Sequence, residues 1–457
     1  MLLSFRVENH KSIRDEQQLL LTPGYDDARP QQADWEATTV AGIFGANASG
    51  KSNVLDALSF MRDTVRWSMR ENEPGSGMRR HPFALDAESE GEPSTFVVDL
   101  RLGGVRYTYG FAIDDDQVAE EWLYSYPRQR RRVLFEREGG HFSFGGATPA
   151  NLRQVESITA RNVLFLTVAA RAEQEAVEAV YQWFSEGLVF AEERRPEPPA
   201  WVRSGAVSAE RLRTLSRLLT SADTGIQDVE LKRRDPVPDP VLERMSRWRA
   251  APDLDAPDLS MTSAGGGAER SSSAEAGVAR SGTLALWLKD RGGSIVFHHL
   301  GDGSARPLLW EEESLGTRAL ATVGFEAQRV LESGGVLAID EIDASLHPYL
   351  SARVIALFQD EEQNPKGAQL IFTSHDASLL GRVRGQEVLK RDHIWFVDKD
   401  AEGRTSLYPL SDFKPRADDN RARRYLTGRY GAVPDVDDEL FRDALRKREQ
   451  KPEEAAR

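Results

Sequence analysis

The spacing of apolar and polar positions changes several times along the 457-residue chain, and each change predicts an element. Leu2 to Val7 alternates, as a half-buried strand does. A polar stretch runs on to Trp35, and Thr38 to Phe44 (TTVAGIF) is then a β-branched apolar run that predicts a buried strand. A loop of Gly, Ala, Asn and Ser follows, and from Ser52 the sequence NVLDALSFMRDTVRWSM places apolar residues at helical spacing. Ser94–Leu102, Val105–Ile113 and Val133–Arg137 alternate like antiparallel strands, with Gly103-Gly104 as a turn. Residues 151–222 read as helical, broken at Pro196, Pro198 and Pro199. Strand order resumes at Ser294–His299, followed by a helix over 317–333, a strand over 336–340, a helix over 346–358 and a strand over 369–373. Ile394–Val397 and Thr405–Leu410 flank DKDAEG as a hairpin.

The pattern is interrupted at 233–282, which is rich in Pro, Asp, Ser and Gly and includes SMTSAGGGAERSSSAEAG. Such a composition buries too little apolar area to offset ordering, so residues 255–280 are expected to be dispensable for catalysis. There is no internal repeat, and the tail after Leu445 is charged and expected to fray. The domain organisation expected from this is a first half-domain at 1–150, with an antiparallel β subdomain, and a helical insertion at 151–232. A linker at 233–285, a second half-domain at 286–434 and a charged tail at 435–457 complete it.

Composition narrows the function. Lys and Arg total 59 against 73 Asp and Glu, a net charge of −14, which excludes a protein basic all over but not a local basic stripe. There are no cysteines, so a disulfide scaffold, a Cys-ligated zinc site and a Cys nucleophile are excluded. The N-terminus carries Arg6, Glu8 and Lys11 and has no signal-peptide core. Val163–Ala170 is the most apolar stretch, far short of the ~20 residues of a membrane span. A cytoplasmic protein is expected.

The loop after the first buried strand, Gly45-Ala46-Asn47-Ala48-Ser49-Gly50-Lys51-Ser52, matches G-x-x-x-x-G-K-[ST] and leads through Asn53 into a helix. Glycines let backbone N–H groups approach phosphate oxygens, Lys51 reaches the β- and γ-phosphates, Ser52 holds Mg²⁺, and the helix points its positive end at the anion. Val336–Ile339 is an apolar strand ending in Asp340 and Glu341, suited to metal binding and to general-base work respectively. Alone this would read as a strand end and an acidic helix start; after a P-loop it reads as catalytic. Glu313-Ser314-Leu315-Gly316-Thr317 lies at a helix start, where a small hydroxyl and a glycine suit an anion as well as a plain N-cap. Phe372-Thr373-Ser374-His375-Asp376 follows the next strand and offers His375 to a γ-phosphate.

P-loop, small-residue signature, apolar-Asp-Glu and strand-end His, in this order, resemble the ATPase heads of the ABC superfamily. Lys51-Ser52-Asn53, with Phe5-Arg6-Val7-Glu8-Asn9 and Lys11-Ser12-Ile13, resembles the SMC/RecF-like branch. Glu313–Thr317, Asp340–Pro348 (DEIDASLHP) and Tyr425–Pro434 (YLTGRYGAVP) are similar to the RloA/AbiL-type AAA-like ATPases of bacterial phage defence. The resemblance covers about residues 1–135 and 290–434. It implies an α/β P-loop fold with a mixed sheet, an antiparallel β subdomain and a helical insertion, with ATP and Mg²⁺ as cofactors. By the same resemblance, Gly45 to Asn53 bind ATP, and Ser52 and Asp340 hold the metal. Lys51, Glu341 and His375 are catalytic, Glu341 as base and His375 as switch. Ser314, Gly316 and Thr317 act on ATP held by a second protomer, and Asp343 begins the loop between sites. A dimer of heads, a separate effector such as a TOPRIM-like nuclease and, as an open alternative, DNA are the implied partners; no membrane is implied. The signature is SLGT rather than LSGGQ, which speaks against a transporter.

Three function classes follow: a regulatory ATPase in antiviral defence, a RecF-like repair or chromosome ATPase, and an ATP-gated scaffold, against which Glu341 counts. Gln117 is available as a metal-sensing loop glutamine but sits in a turn-like DDDQ. Asp398-Lys399-Asp400 resembles the DxD of TOPRIM nucleases, but too few residues follow for that domain, and a hairpin turn is the better reading. Arg128-Gln129-Arg130-Arg131-Arg132 suits a phosphate backbone or a solvated turn, and Arg416, Arg421, Arg423, Arg424 and Arg429 suit the same or a packed basic helix. Trp183 and Phe184 are expected in the core.

Overall fold

The structure, a computed structural model, describes residues 1–25, 36–73, 75–146, 148–191, 199, 201–202, 207–233, 293–301, 304–416, 419–434 and 437–446. The expected linker beyond residue 233 and the tail from 447 lie outside them. The chain forms two compact units, Met1–Ala191 with Glu326–Arg457, and Glu192–Phe325.

The larger unit is built on two sheets. The antiparallel one is formed by β1 (Leu2–Glu8), β2 (Gln17–Leu20), β4 (Ser94–Leu102), β5 (Val105–Ile113), β6 (Val118–Tyr126), β7 (Arg132–Glu138) and β8 (His141–Ser143), in the order β2-β1-β4-β5-β6-β7-β8. The mixed one contains β3 (Val40–Gly45), β9 (Leu188–Ala191), β13 (Val336–Ile339), β14 (Gln369–Ser374), β17 (Ile394–Lys399) and β18 (Thr405–Pro409), in the order β18-β17-β3-β14-β13-β9. Its strands β17, β3, β14, β13 and β9 are parallel, and only β18 returns antiparallel. A two-stranded hairpin, β15 (Arg382–Val383) with β16 (Gln386–Glu387), lies apart from both sheets. β3, β13 and β14 are buried along their whole length, which is why none alternates: β13 is apolar throughout, β3 is apolar and glycine, and β14 has an apolar centre, Leu370–Phe372, between buried polar ends.

The two sheets are stitched by Gln369, itself buried. Its side chain accepts from Leu2 N at 2.6 Å and donates to Leu2 O at 2.9 Å and Thr38 O at 3.0 Å. Between the sheets the helix Lys51–Glu71 buries Val54, Leu58, Met61 and Val65, one face at three-to-four spacing. These pack in one core with Phe96, Phe111 and Ile43. Truncating Met61 to Ala there would cost about 2–5 kcal/mol.

Strand and helix bounds follow the sequence pattern closely at 94–113 and 315–374. β6 was not anticipated, and Ser304–Leu309 was not either; both lack clean alternation. The larger departure concerns residues 151–232. They are not one helical insertion: short helices at Ala150–Gln154, Phe165–Arg171 and Glu175–Gln182 are followed by β9, which pairs in parallel with β13 as an edge of the mixed sheet. Residues up to Ala191 therefore belong to the larger unit. The apolar stretch at 163–170 is a buried short helix, and Trp183 and Phe184 are core, as expected. The helix Phe165–Arg171 is held by Glu121, which accepts from Phe165 N at 2.6 Å, Leu166 N at 2.9 Å and Tyr109 Oη at 3.0 Å, with Arg137 at 3.7 Å.

The smaller unit holds the helix Ala209–Ser221 and a three-stranded antiparallel sheet, β10 (Ile226–Arg233), β11 (Gly293–Gly301) and β12 (Ser304–Leu309), in that order. Trp201 stacks on Phe325 at 3.9 Å between ring centroids within it. No helix among the described residues is long and apolar enough to cross a membrane.

Candidate functional site

The loop Gly45–Gly50 leaves β3 at its carboxyl end and enters the helix Lys51–Glu71. Two glycines are required by geometry. A Cβ on Gly45 would lie 2.4 Å from Val397 O, and one on Gly50, whose φ is 108°, would lie 2.2 Å from Thr405 Oγ1. Asn47 and Ala48 crown the loop in solvent, while Ser49 and Gly50 are buried. The helix N-terminus has neither a side-chain cap nor an acidic residue in its first turn. Its orphan N–H groups are thus left for an anion.

Lys51 is buried, and its ammonium donates to Gly45 O and Ala46 O, both at 2.8 Å. Burial lowers its pKa below the usual lysine value; the charges of Asp340 and Asp343 oppose this. An ammonium with three donors, parked on two carbonyls of the loop, fits a phosphate-binding lysine.

β14 lies between β3 and β13, so the ends of all three strands converge. Ser52 Oγ donates to Asp340 Oδ1 at 3.0 Å, and Thr373 Oγ1, at the end of β14, donates to the same oxygen at 2.6 Å. Thr373 Oγ1 also accepts from Glu341 N at 2.7 Å. Glu341 has φ 55°, an uncommon conformation for a non-glycine residue, and it turns the chain immediately after Asp340. His375 Nε2 lies 3.2 Å from Asp343 Oδ2; the histidine side chain is 54% exposed and the aspartate 5%. The structure therefore brings together Gly45–Ser52, Asp340, Glu341, Asp343 and His375 around one strand-end cluster. A hydroxyl–carboxylate pair beside an uncapped helix N-terminus suits a divalent cation bound with a nucleotide phosphate.

Ser314, Gly316 and Thr317 belong to the smaller unit. Ser314 Oγ accepts from Thr317 N at 3.1 Å, so Ser314 begins the helix Leu315–Ser333, and its oxygen lies 2.9 Å from Thr317 Oγ1. Glu313, just before it, is buried and paired with His299. Leu315 is 64% exposed.

Sequence reasoning gives no role to Thr373, Ser12 or Thr405. Ser12 Oγ accepts from Asn53 Nδ2 at 2.6 Å, and Thr405 donates to Ser49 O at 2.9 Å. Thr373 lies inside the Phe372–Asp376 motif and Ser12 inside the Lys11–Ile13 stretch, neither of which points to these contacts, and nothing local marks Thr405. Gln117 lies in the tight turn joining β5 and β6, where its N–H donates to Asp114 Oδ1 at 2.7 Å. Asp398 Oδ2 accepts from Ala432 N at 3.3 Å, and Asp400 pairs with Arg404 at 2.7 Å, so the DKD run serves the hairpin. Arg421 is buried and donates to Leu389 O at 2.8 Å, which makes it a packed residue. Arg128–Arg132 form the exposed turn between β6 and β7, with Arg131 3.8 Å over the Tyr124 ring.

No curated protein sequence matches the chain. By structure it is similar to the Smc head bound to the C-winged helix domain of ScpA, at 14% identity and a TM-score of 0.46 over 91% of this chain and 99% of that one. It is also similar to the SMC head domain from Thermotoga maritima, at 13% identity and a TM-score of 0.35 over 89% and 98% of the two chains. A third is the Smc head domain bound to the C-terminal domain of ScpA derived from Pyrococcus furiosus, at 14% identity and a TM-score of 0.36 over 90% and 97%. Residues 40–381 match the family described as "AAA domain, putative AbiEii toxin, Type IV TA system". The matched span begins at β3 and takes in the P-loop, Asp340, Glu341 and His375. The chain belongs to this AAA family and is a P-loop ATPase.

Proposed function

We propose that this ATPase is the controlling subunit of a bacterial antiviral system of the abortive-infection kind, a cytoplasmic protein whose ATP turnover governs a separate effector nuclease. The observation that carries the chemistry is the meeting of Lys51 and Ser52 with Asp340, Glu341 and Thr373 at three adjacent strand ends. Gly45 to Asn53 receive the triphosphate, with Lys51 exchanging the Gly45 and Ala46 carbonyls for phosphate oxygens. Ser52 and Asp340 are the residues that would hold Mg²⁺, which when bound supplies positive charge to the phosphate oxygens. Thr373 keeps Asp340 turned towards Ser52 and fixes the Glu341 backbone. Glu341 then takes the proton of the attacking water as its oxygen bonds the γ-phosphorus and the bond to the bridging oxygen breaks. His375, steadied by Asp343, faces the γ-phosphate.

Ser314, Gly316 and Thr317 act in trans, on ATP held by a second copy, so the catalytic unit is a homodimer. Closure on ATP and opening after hydrolysis pass the nucleotide state to the effector. The test is a phage challenge of cells carrying the native locus, beside hydrolysis by the purified protein. Lys51→Ala and Glu341→Gln should each abolish both protection and turnover. No protection from the native locus would refute the defence role, full protection with either variant would refute the control of protection by ATP turnover, and turnover unaltered by Lys51→Ala would refute the site.

The exposed Arg128–Arg132 turn favours one second reading, a RecF-like ATPase of DNA repair. Stimulation of hydrolysis by duplex DNA, lost in Arg128→Glu/Arg130→Glu, would mark that case.

A further inference from the structure

The P-loop is braced from outside by two segments that carry none of its motif. Thr405, the first residue of β18, is buried at 2% exposure. Its Oγ1 donates to Ser49 O at 2.9 Å, and its N–H donates to Ser12 O at 2.8 Å. Ser12 Oγ lies 2.7 Å from Thr405 Oγ1 and accepts from Asn53 Nδ2 at 2.6 Å.

Proton counting fixes the direction of this chain. A hydroxyl has one hydrogen, and that of Thr405 is spent on the Ser49 carbonyl. Ser12 must then be the donor to Thr405. The order is Asn53 amide, Ser12 hydroxyl, Thr405 hydroxyl, Ser49 carbonyl, so the relay joins the first helical turn to the loop that precedes it.

A peptide unit is planar, and in its trans form the C=O and the following N–H point in opposite directions. With Ser49 C=O drawn to Thr405, the Gly50 N–H is turned away from the hairpin. Among the described residues it meets no protein acceptor in this state. The hairpin that carries Thr405 is itself immobilised: Tyr408 Oη donates to Tyr430 O at 2.9 Å, and Phe396 stacks on Tyr430 at 5.2 Å between centroids.

We propose that Thr405 is a positioning residue for ATP binding, which acts through Ser49 by presenting the Gly50 N–H to a phosphate oxygen. The proposal rests on the P-loop reading above. Thr405→Val keeps the shape and removes the hydroxyl; Thr405→Ser keeps the hydroxyl. Binding of a fluorescent non-hydrolysable ATP analogue to the full chain, with melting temperature recorded alongside, reads the effect. Thr405→Val should weaken the analogue about 10-fold, and Thr405→Ser should bind close to wild type. Ser12→Ala breaks the same relay and serves if Thr405→Val does not fold; it should weaken binding in the same direction. A lowered melting temperature with unchanged analogue affinity would make Thr405 merely structural and overturn the proposal. Wild-type affinity in Thr405→Val or Ser12→Ala, beside loss of binding in Lys51→Ala, would also overturn it while leaving the P-loop reading intact. Retained binding in Lys51→Ala would remove both.

Discussion

Replacing Thr373 by Val should separate ATP binding from ATP hydrolysis. Thr373 is fully buried, and Val fills the same space, so the change removes a hydroxyl and little else. That hydroxyl spends its one proton on Asp340 Oδ1 at 2.6 Å and accepts from Glu341 N at 2.7 Å. A hydrogen bond to a charged carboxylate contributes about 1.5–3 kcal/mol and a neutral one about 1 kcal/mol. Glu341 is also held at φ 55°, which costs about 1 kcal/mol and is countered here by the Thr373 bond. If most of this reaches the transition state, about 2–4 kcal/mol, the rate falls roughly 30- to 1,000-fold. On the proposed reading ATP affinity rests chiefly on Lys51 and the loop, with which Thr373 makes no hydrogen bond, and it should change less than about threefold. Steady-state hydrolysis gives kcat, and titration with a non-hydrolysable analogue gives Kd. A kcat within about threefold of wild type in a folded Thr373→Val protein would refute the claim that this hydroxyl aligns Asp340 and Glu341.

Glu341→Gln should bind ATP and stop turnover, accumulating an ATP-bound dimer detectable by mass; near-normal hydrolysis would show another base. Ser314→Arg should be inactive alone but recover activity when co-expressed with Lys51→Ala, to about half the wild-type rate per heterodimer, because one composite site escapes both defects. Verified heterodimers without hydrolysis would count against action in trans with independent sites. His10 is fully buried against Asp56 at 2.8 Å, and burial lowers its pKa below the usual 6.5. The unfolded state takes up its proton first as pH falls, so this stability is present above about 6.5 and is lost below it, by at most about 1.4 kcal/mol per pH unit. His10→Gln should flatten that slope in denaturation at pH 5–7, and an unchanged slope would exclude His10 as its source. Glu121→Leu removes the acceptor of Phe165 N, Leu166 N and Tyr109 Oη and the charge opposite buried Arg137, and should cost about 3–5 kcal/mol in urea unfolding; a loss under about 1 kcal/mol would show that this carboxylate does not anchor the helix.

The parts of this molecule that the sequence reveals are those whose chemistry is local. Gly45–Ser52 announces its own loop because phosphate binding needs glycine, lysine and a hydroxyl at fixed spacing, and β3, β13 and the centre of β14 announce themselves because burial on both faces favours apolar runs without alternation. What stayed hidden depends on meetings between distant segments. β9 is four residues long and sits at the end of a helical stretch, so only its pairing with β13 identifies it as a strand. Ser12 and Thr405 are ordinary loop and strand residues until folding brings them within 2.7 Å of each other. Arg421 leaves two readings open for the same reason: a basic run on paper says nothing of whether one member turns inward to a carbonyl such as that of Leu389. A P-loop is thus specified twice, once by the residues that face the phosphate and once by those that hold the loop from behind. Only the first set obeys a spacing rule, because only it must match the fixed shape of the ligand.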